Sequence, residues 1–275
     1  MTYATLMVHL ELGHANAGLL QVTRDLAEHF SAHVIGIAAC QPMQMVYAEG
    51  YIPSEIYEQD NNERKKEIKE AEAEFRSALQ TSAKGLEWRS SIQFGPLPDY
   101  VASEARSADL LITSVASGTL LDSSRSVNTG DLIMQLGRPA LIVPAIAKQL
   151  ALDRVVIAWK DTRETRRAVS NALPLIKKAA HVTVVEIAVP DAMAAAHKHC
   201  QDVVAWLKYH DIQADSLASP AIGDDAVALY TVAQDLGADV IVAGAYGHSR
   251  MLEWALGGVT RDLLLRKDFC SLLSH

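Results

Sequence analysis

The chain has 275 residues, of which 49% are hydrophobic and 21% are charged, and these proportions exclude a disordered or fibrous protein. Its formal net charge of −8 argues against nucleic acid and anionic membrane surfaces as main partners, because both attract basic proteins. The cysteines are few and far apart, which predicts no disulfide framework, and the sequence shows neither a secretory signal nor a membrane-length apolar stretch, so we expect a cytoplasmic protein.

The first half of the chain alternates short apolar runs with helical patterns. An apolar run over Leu6–Leu10 predicts a strand, and Ala15–Phe30 has the spacing of an amphipathic helix. A second strand is predicted over His33–Ala39, a long amphipathic segment over Ser54–Lys84, and a strand buried on both faces over Leu110–Ile112. Strands that alternate with helices in this way indicate βαβ units and a parallel sheet.

Two features of this half carry charge or histidine. The run Glu63–Glu74 has opposite charges at helical spacing, which predicts a solvated helix face. His9 and His14 flank the loop after the first strand, and Glu11 lies between them. These side chains form either a polar or metal-binding pocket or an ordinary loop with solvated histidines.

The second half repeats this order of elements after a short join. The join lies near Pro144–Gln149, and its shortness predicts that the two halves pack against each other. An apolar run over Val155–Trp159 predicts a strand, and a helical pattern follows over Glu164–Ala179. The next predicted strand is His181–Val189, and the next amphipathic segment is Ala192–His210.

The two halves are also related in sequence. Four pairs of segments match in the same order along the chain: Ala32–Ile35 with Ala180–Thr183, Gly95–Pro98 with Gly223–Asp225, Ala108–Ile112 with Ala238–Val242, and Gly130–Ile133 with Thr260–Leu263. We therefore predict an α/β fold of two tandem doubly wound, Rossmann-like parallel-sheet domains, 1–146 and 151–275, related by a pseudo-two-fold axis. The end strands Ala140–Val143 and Ser271–Ser274 are candidates to pair across this axis.

A few residues outside this pattern have side chains that could carry chemistry. His197, His199 and Cys200 are zinc-ligand types, but on a helix positions 197 and 199 point about 200° apart. They form either part of a metal site completed from elsewhere or an ordinary helix surface. Cys270 lies in the predicted last strand, where a buried and unreactive thiol is expected, and Trp206–Leu207 is interpreted as core.

The most informative segment is Ala238–Leu265, which joins a buried strand to a glycine-rich stretch and a helix. Gly244 and Gly247 follow the strand, and Gly257–Gly258 precedes a helix predicted to begin near Thr260. Ligands of open parallel sheets bind beyond the carboxyl ends of the strands, where this segment follows its strand. Glycine backbone and a helix N-terminus favour an anion there. The segment is either a phosphate-binding loop or only a turn, and it matches neither a P-loop nor the dinucleotide G-x-G-x-x-G.

This segment resembles the glycine loop of the universal stress protein (UspA-like) family. The spacing Gly244-x-x-Gly247, nine residues, then Gly257 is that of ATP-binding members, and Val156–Glu164 is similar to the family's first strand and the loop after it. The resemblance covers the whole chain and points to the tandem type. It implies a nucleotide site formed by Ala158, Trp159, Lys160, Gly244, Gly247, His248, Arg250, Gly257, Gly258, Val259 and Thr260.

The chain departs from the pattern of ATP-binding members at two positions. Gly258 stands where those members carry Ser or Thr, and Lys160 stands near the place of an Asp. Lys160 either pairs with a phosphate or fills the site with its own ammonium. In the first half no Gly-x-x-Gly follows Leu110–Ile112, and Glu11 stands at the place of Lys160, so this half is structural or binds a different ligand.

The resemblance implies a stress-linked regulatory protein that binds ATP or another adenine nucleotide in its second half, with at most the turnover of a slow ATPase. No metal is predicted. Because equivalent end strands form the dimer contact in the family, we expect an intramolecular pseudo-dimer, with association into a homodimer left open. Three alternatives remain: a protein-interaction module that binds no nucleotide, an enzyme that hydrolyses ATP slowly or transfers a nucleotide, and a carrier of another small molecule, such as a lipid, between the domains.

Overall fold

The computed structural model describes residues 2–43, 54–115, 124–221, 223–245 and 269–275. The strands are β1 (Thr5–His9), β2 (His33–Cys40), β3 (Gly85–Ile92), β4 (Leu110–Ser114), β5 (Ala140–Val143), β6 (Arg154–Ala158), β7 (His181–Ala188), β8 (Asp215–Pro220), β9 (Val240–Gly244) and β10 (Cys270–Ser274). The α-helices are α1 (Ala17–Phe30), α2 (Ser54–Leu79), α3 (Leu97–Glu104), α4 (Thr129–Leu136), α5 (Arg163–Ile176), α6 (Met193–Lys208) and α7 (Asp225–Asp235). Across the described ranges, no helix has both the length and the apolar character needed to span a membrane.

All ten strands form one sheet, in the order β3-β2-β1-β4-β5-β10-β9-β6-β7-β8. Neighbouring strands are parallel except β5 and β10, which are antiparallel. Counted from either edge, each half contributes its strands in the same order: third, second, first, fourth, fifth. The predicted fold class, two doubly wound α/β halves related by a pseudo-two-fold, is therefore confirmed, whereas the boundaries 1–146 and 151–275 stay a prediction.

The two halves meet where β5 pairs with β10. Leu272 is opposite Leu141, Ser271 is opposite Ile142, and both leucines have no exposed surface. The predicted pairing of the end strands is confirmed. Cys270 opens β10 and is 4% exposed, and burial raises the pKa of its thiol to about 12, so the predicted buried and unreactive cysteine is confirmed as buried.

Helices cover both faces of the sheet. Side chains of α1, α2, α5 and α6 pack into one apolar cluster, and those of α3, α4 and α7 pack into a second cluster on the opposite face. Successive residues of a strand point to opposite faces, so Leu6 and Val8 join the first cluster and Met7 joins the second. This two-sided burial explains why the central strands are continuous apolar runs.

Contacts outside the sheet also join the halves. The Tyr3 hydroxyl donates a hydrogen bond of 2.7 Å to the Asn171 carbonyl of α5. In the join, the backbone N–H of Leu150 donates to Asp25 Oδ2 of α1 at 2.8 Å. The halves pack against each other, as the short join predicts.

The charged run Glu63–Glu74 lies within α2, but it is not solvated throughout. Arg64 is 3% exposed, with its Nε 2.6 Å from Asp60 Oδ2, and Ala71 packs into the core. The other side chains of the run are exposed or half-buried. The prediction of a solvated face is therefore wrong for Arg64, because helical spacing alone does not reveal which turn a distant segment covers.

Candidate functional site

The sheet of the second half has a switch point between β6 and β9. The chain leaves β6 toward α5 and β7 on one side, while β9 pairs with β6 on the other side and leads into the glycine-rich segment. Ala158 and Ala243 are paired at the carboxyl ends of these strands. Trp159, Lys160 and Gly244 therefore lie at the edge where open α/β sheets bind ligands.

Gly244, the last residue of β9, is packed against the first turn of α5. A Cβ at this position would lie 2.5 Å from the Thr165 backbone nitrogen and 2.7 Å from the Glu164 carbonyl carbon. Side chains are excluded by this close approach of helix to strand. Strand–helix packing thus gives a reason for this glycine, and its predicted contact with a phosphate stays a prediction.

The first turn of α5 is capped by the chain itself. Thr162 Oγ1 accepts a hydrogen bond of 3.3 Å from the Thr165 N–H, and the Thr162 carbonyl accepts one of 3.1 Å from the Arg166 N–H. Glu164 pairs with Arg163. Burial acts to raise the pKa of Glu164, but the guanidinium together with hydrogen bonds from the Glu164 backbone N–H and the Thr162 side chain outweighs it, and the pKa lies below its usual range. The Thr165 and Arg166 N–H groups of this helix start are therefore already bonded within the chain.

Lys160 is the cationic side chain that the structure places at this edge. It is exposed, and within the described ranges its ammonium has no ion-pair partner. The neighbouring Asp161 pairs instead with Arg166, with Oδ1 2.5 Å from Nη1, so the charge of that carboxylate is balanced. An exposed and unpaired ammonium beside a switch point fits an anion such as a phosphate.

Trp159 contributes to a cleft of about 440 Å³ between α5 and α6. Val169 of α5 and Val203 and Trp206 of α6 form the apolar part of its walls. Trp206 is 37% exposed, so its interpretation as core is wrong, whereas Leu207 has no exposed surface and is core as predicted. Adjacent positions on one helix thus place one side chain in the core and the other in the cleft, and the sequence pattern did not distinguish them.

The remaining predicted site residues lie outside the described residues. They are Gly247, His248, Arg250, Gly257, Gly258, Val259 and Thr260. The helix predicted to begin near Thr260 lies there too. Their role in holding a nucleotide stays a prediction from the sequence.

The corresponding edge of the first half holds a buried histidine. His9 ends β1, is 2% exposed, and has its Nδ1 3.2 Å from Thr113 Oγ1 of β4. Its Nε2 has no hydrogen-bond partner in the described part of the chain, and burial lowers its pKa to about 4. The interpretation as a loop with solvated histidines is wrong for His9 and describes only the exposed His14, and Glu11 is likewise buried, at 4% exposure.

Ion pairs from α2 lie near the same edge, and sequence reasoning missed them. Asp60 pairs with Arg64, whose Nη1 donates to Ser124 Oγ at 3.3 Å, and Glu67 pairs with Arg125 at 2.9 Å. The spacing of Asp60 and Arg64, four residues apart, is a signal for a helical ion pair. The contact of Arg64 with Ser124, 60 positions later, depends on the fold and has no sequence signal.

The groove between the first two helices also differs between the halves. In the first half, Arg24 Nε of α1 donates a hydrogen bond of 3.0 Å to the Ala78 carbonyl of α2, and Ser82 Oγ donates to Glu28. No hydrogen bond joins α5 to α6 in the described part of the chain. The groove is therefore bridged in the first half and forms an open cleft in the second.

The residues of zinc-ligand type have different surroundings. Cys200 is buried, its Sγ donates to the Leu217 carbonyl at 3.8 Å, and burial raises the pKa of its thiol to about 11. His199 Nδ1 lies 3.2 Å from Glu186 Oε2, while His197 is exposed. Within the described ranges no three metal-ligating side chains come together. The helix-surface alternative describes His197, and Cys200 belongs to the core.

Comparison with solved structures shows which molecules share this fold. A universal stress protein from Archaeoglobus fulgidus DSM 4304 matches with a TM-score of 0.76 at 11% identity, covering 98% of each chain. A functionally unknown protein from Pseudomonas aeruginosa PAO1 matches at 0.62 and 12% identity, covering 99% of this chain and 92% of that one. A candidate universal stress protein from Pseudomonas aeruginosa UCBPP-PA14 matches at 0.62 and 14% identity, covering 99% and 93%.

These likenesses extend over the full length of the chain, so the arrangement of two α/β halves is shared with each of the three proteins. No protein-family model matches the chain, and no curated protein sequence does. At such low identities the comparisons establish the fold.

Proposed function

We propose that the chain is a tandem universal stress protein with a regulatory role in the stress response, and that its second half binds ATP or another adenine nucleotide. The observation that carries the proposal is the switch point between β6 and β9, at which the glycine-rich segment leaves the sheet. The full-length likeness in fold to the Archaeoglobus fulgidus protein supports it. So does the glycine spacing from Gly244 to Gly257.

Each part of the nucleotide has a proposed set of contacts. Lys160 pairs with a phosphate as a point charge, with Ala158 and Trp159 beside it at the end of β6. The remaining contacts come from the glycine-rich segment: backbone N–H groups of Gly247, Gly257 and Gly258, the Thr260 hydroxyl, and the side chains of His248, Arg250 and Val259. The nucleotide, when bound, stabilises the folded form that holds it and so supplies a regulatory signal with little turnover.

The first half has a structural role in this proposal. Its edge carries the buried His9 and the ion pairs of Arg64 and Arg125, in place of an exposed lysine. The first half also completes the pseudo-dimer, because its strand β5 pairs with β10. We propose that the protein acts in the cytoplasm, with 1–146 and 151–275 as its domains and with protein partners that respond to the nucleotide.

Isothermal titration of the full chain with ATP tests this function. We expect one ATP per chain, and about 2- to 5-fold weaker binding in Lys160→Met, because an exposed ion pair contributes up to about 1 kcal/mol. Lys177→Met is the matched control, since Lys177 is an equally exposed lysine beyond the far end of α5, and its affinity should equal that of the native chain. No heat of binding at millimolar ATP would overturn the proposal and leave the protein-interaction module.

A further inference from the structure

Among the residues that the structure describes, the cleft between α5 and α6 shares Trp159 with the proposed nucleotide contacts, but neither Lys160 nor Gly244 lines it. Its volume, about 440 Å³, lies within the range of roughly 300–1,000 Å³ that is usual for small-molecule sites. In the first half, Arg24 of α1 bridges to the Ala78 carbonyl of α2 across the corresponding groove.

Two tryptophan rings form the aromatic surface of this cleft. Trp206 reaches it from α6 and is 37% exposed, while Trp159 reaches it from the end of β6. The Nε1 atom of Trp159 is inaccessible to solvent and has no partner among the described residues. Trp88 has a similarly unpartnered Nε1 in the core against Phe75, so this atom does not by itself indicate a ligand. Tryptophan rings are the aromatic surfaces that attract cations most strongly.

The charges at the cleft leave one carboxylate unbalanced. Asp202 lines the cleft from α6, is exposed, and has no ion-pair partner within the described ranges. Asp161 is neutralised by Arg166, and His199 faces Glu186 at 3.2 Å. The cleft therefore combines an apolar aromatic surface with a net negative charge.

Helix geometry places the unbalanced carboxylate next to the aromatic ring. Asp202 and Trp206 are four residues apart on α6, so their side chains lie on one face of the helix. Val203, between them in sequence, lies against the core and also lines the cleft. An ammonium group beside Asp202 would therefore lie within reach of the Trp206 ring.

We propose that this cleft is a second small-molecule site and that it takes an organic cation with an apolar or aromatic body, such as an arylalkylamine. The body packs against Trp159, Trp206 and Val169, and the ammonium lies beside Asp202. A neutral analogue leaves the carboxylate without a partner, and an anionic analogue is repelled by it. The site goes beyond nucleotide binding and does not depend on it.

Three probes with the same ring and similar length but different charge test the proposal: phenethylamine, 2-phenylethanol and 3-phenylpropanoate. In isothermal titration of the full chain at low salt, we expect phenethylamine to bind at least about 10-fold more tightly than 2-phenylethanol, and 3-phenylpropanoate not to bind detectably. Equal binding of the three probes, tighter binding of the anion, or no binding of phenethylamine at millimolar concentration would overturn the proposal.

Variants assign the effect to the cleft. Asp202→Asn should weaken phenethylamine binding about 3- to 10-fold and leave 2-phenylethanol unchanged, whereas Trp206→Leu should weaken both. Asp191→Asn, at an exposed aspartate just before α6 that does not line the cleft, is the matched control and should leave both affinities unchanged. Phenethylamine binding that survives Asp202→Asn in full would contradict the proposal. ATP titration of Asp202→Asn, expected to match the native chain, separates this site from the nucleotide site.

Discussion

His9, at the end of β1, is a histidine that the folded chain holds in its neutral form. Burial lowers its pKa from 6.5 to about 4. Between these values the unfolded chain binds a proton that the folded chain does not, so the free energy of unfolding falls as the pH drops through this window. Above the unfolded pKa the imidazole is neutral in both states and its contribution to stability is fully present.

Replacing His9 should therefore remove part of the acid sensitivity of the fold. One proton taken up only by the unfolded chain costs about 1.4 kcal/mol per pH unit, so the native chain should lose about 2 kcal/mol from this group between pH 7 and pH 5. Urea unfolding followed by circular dichroism at both pH values measures the loss. We expect it to be smaller by about that amount in His9→Gln, but unchanged in His181→Gln, a control at an exposed histidine. An equal loss in the native chain and His9→Gln would show that His9 is not the responsible group.

The burial of single residues was the part of the site hardest to predict from the sequence. Trp206 and Arg64 both lie on amphipathic helices, and the helical period was enough to predict those helices. Whether one turn faces the core, a cleft or a buried carboxylate depends on residues far away in the sequence: α5 for Trp206, and Ser124 for Arg64. The place of Gly244 at the end of a buried strand was predicted from a local apolar run, whereas Ala158, Trp159 and Lys160 were site candidates only through the family resemblance.

The contact between β9 and α5 depends on the absence of a side chain at Gly244. Because a Cβ would lie 2.5 Å from a backbone nitrogen of α5, Gly244→Ala requires the helix or the strand to move. We expect a loss of about 1–3 kcal/mol in the free energy of unfolding, measured from urea midpoints at constant m-value. Gly95→Ala is the matched control, since a Cβ at Gly95 would meet no described atom within 4 Å, and it should change stability by less than about 0.5 kcal/mol. Equal stability of the two variants would argue against the close packing.

Central and edge strands differed in how clearly the sequence predicted them. β1, β4, β6 and β9 are buried on both faces and are therefore continuous apolar runs that are easily recognised. β3 and β8 are the two edges of the sheet, are largely half-buried or exposed, and contain polar residues at half of their positions. Edge strands of this kind lack the apolar pattern, so the sequence did not predict their bounds.

Because one sheet runs through both halves, the molecule should unfold as a single cooperative unit. Leu272 lies at the junction with no exposed surface, so Leu272→Ala should lower the free energy of unfolding by about 2–5 kcal/mol. We expect one urea transition, with tryptophan fluorescence and circular dichroism coinciding, shifted as a whole in the variant. Val227→Ala, at an exposed position on α7, is the control and should leave the transition in place. Two separate transitions, only one of them shifted by Leu272→Ala, would contradict a single unit.

Native mass spectrometry of the freshly purified full chain tests whether the second half binds a nucleotide. We expect a mass increment of one adenine nucleotide per chain, retained in Gly95→Ala and lost in Gly247→Arg, where a long side chain enters the proposed glycine loop. An unliganded mass for the native chain, together with an unchanged melting temperature in millimolar ATP, would contradict it.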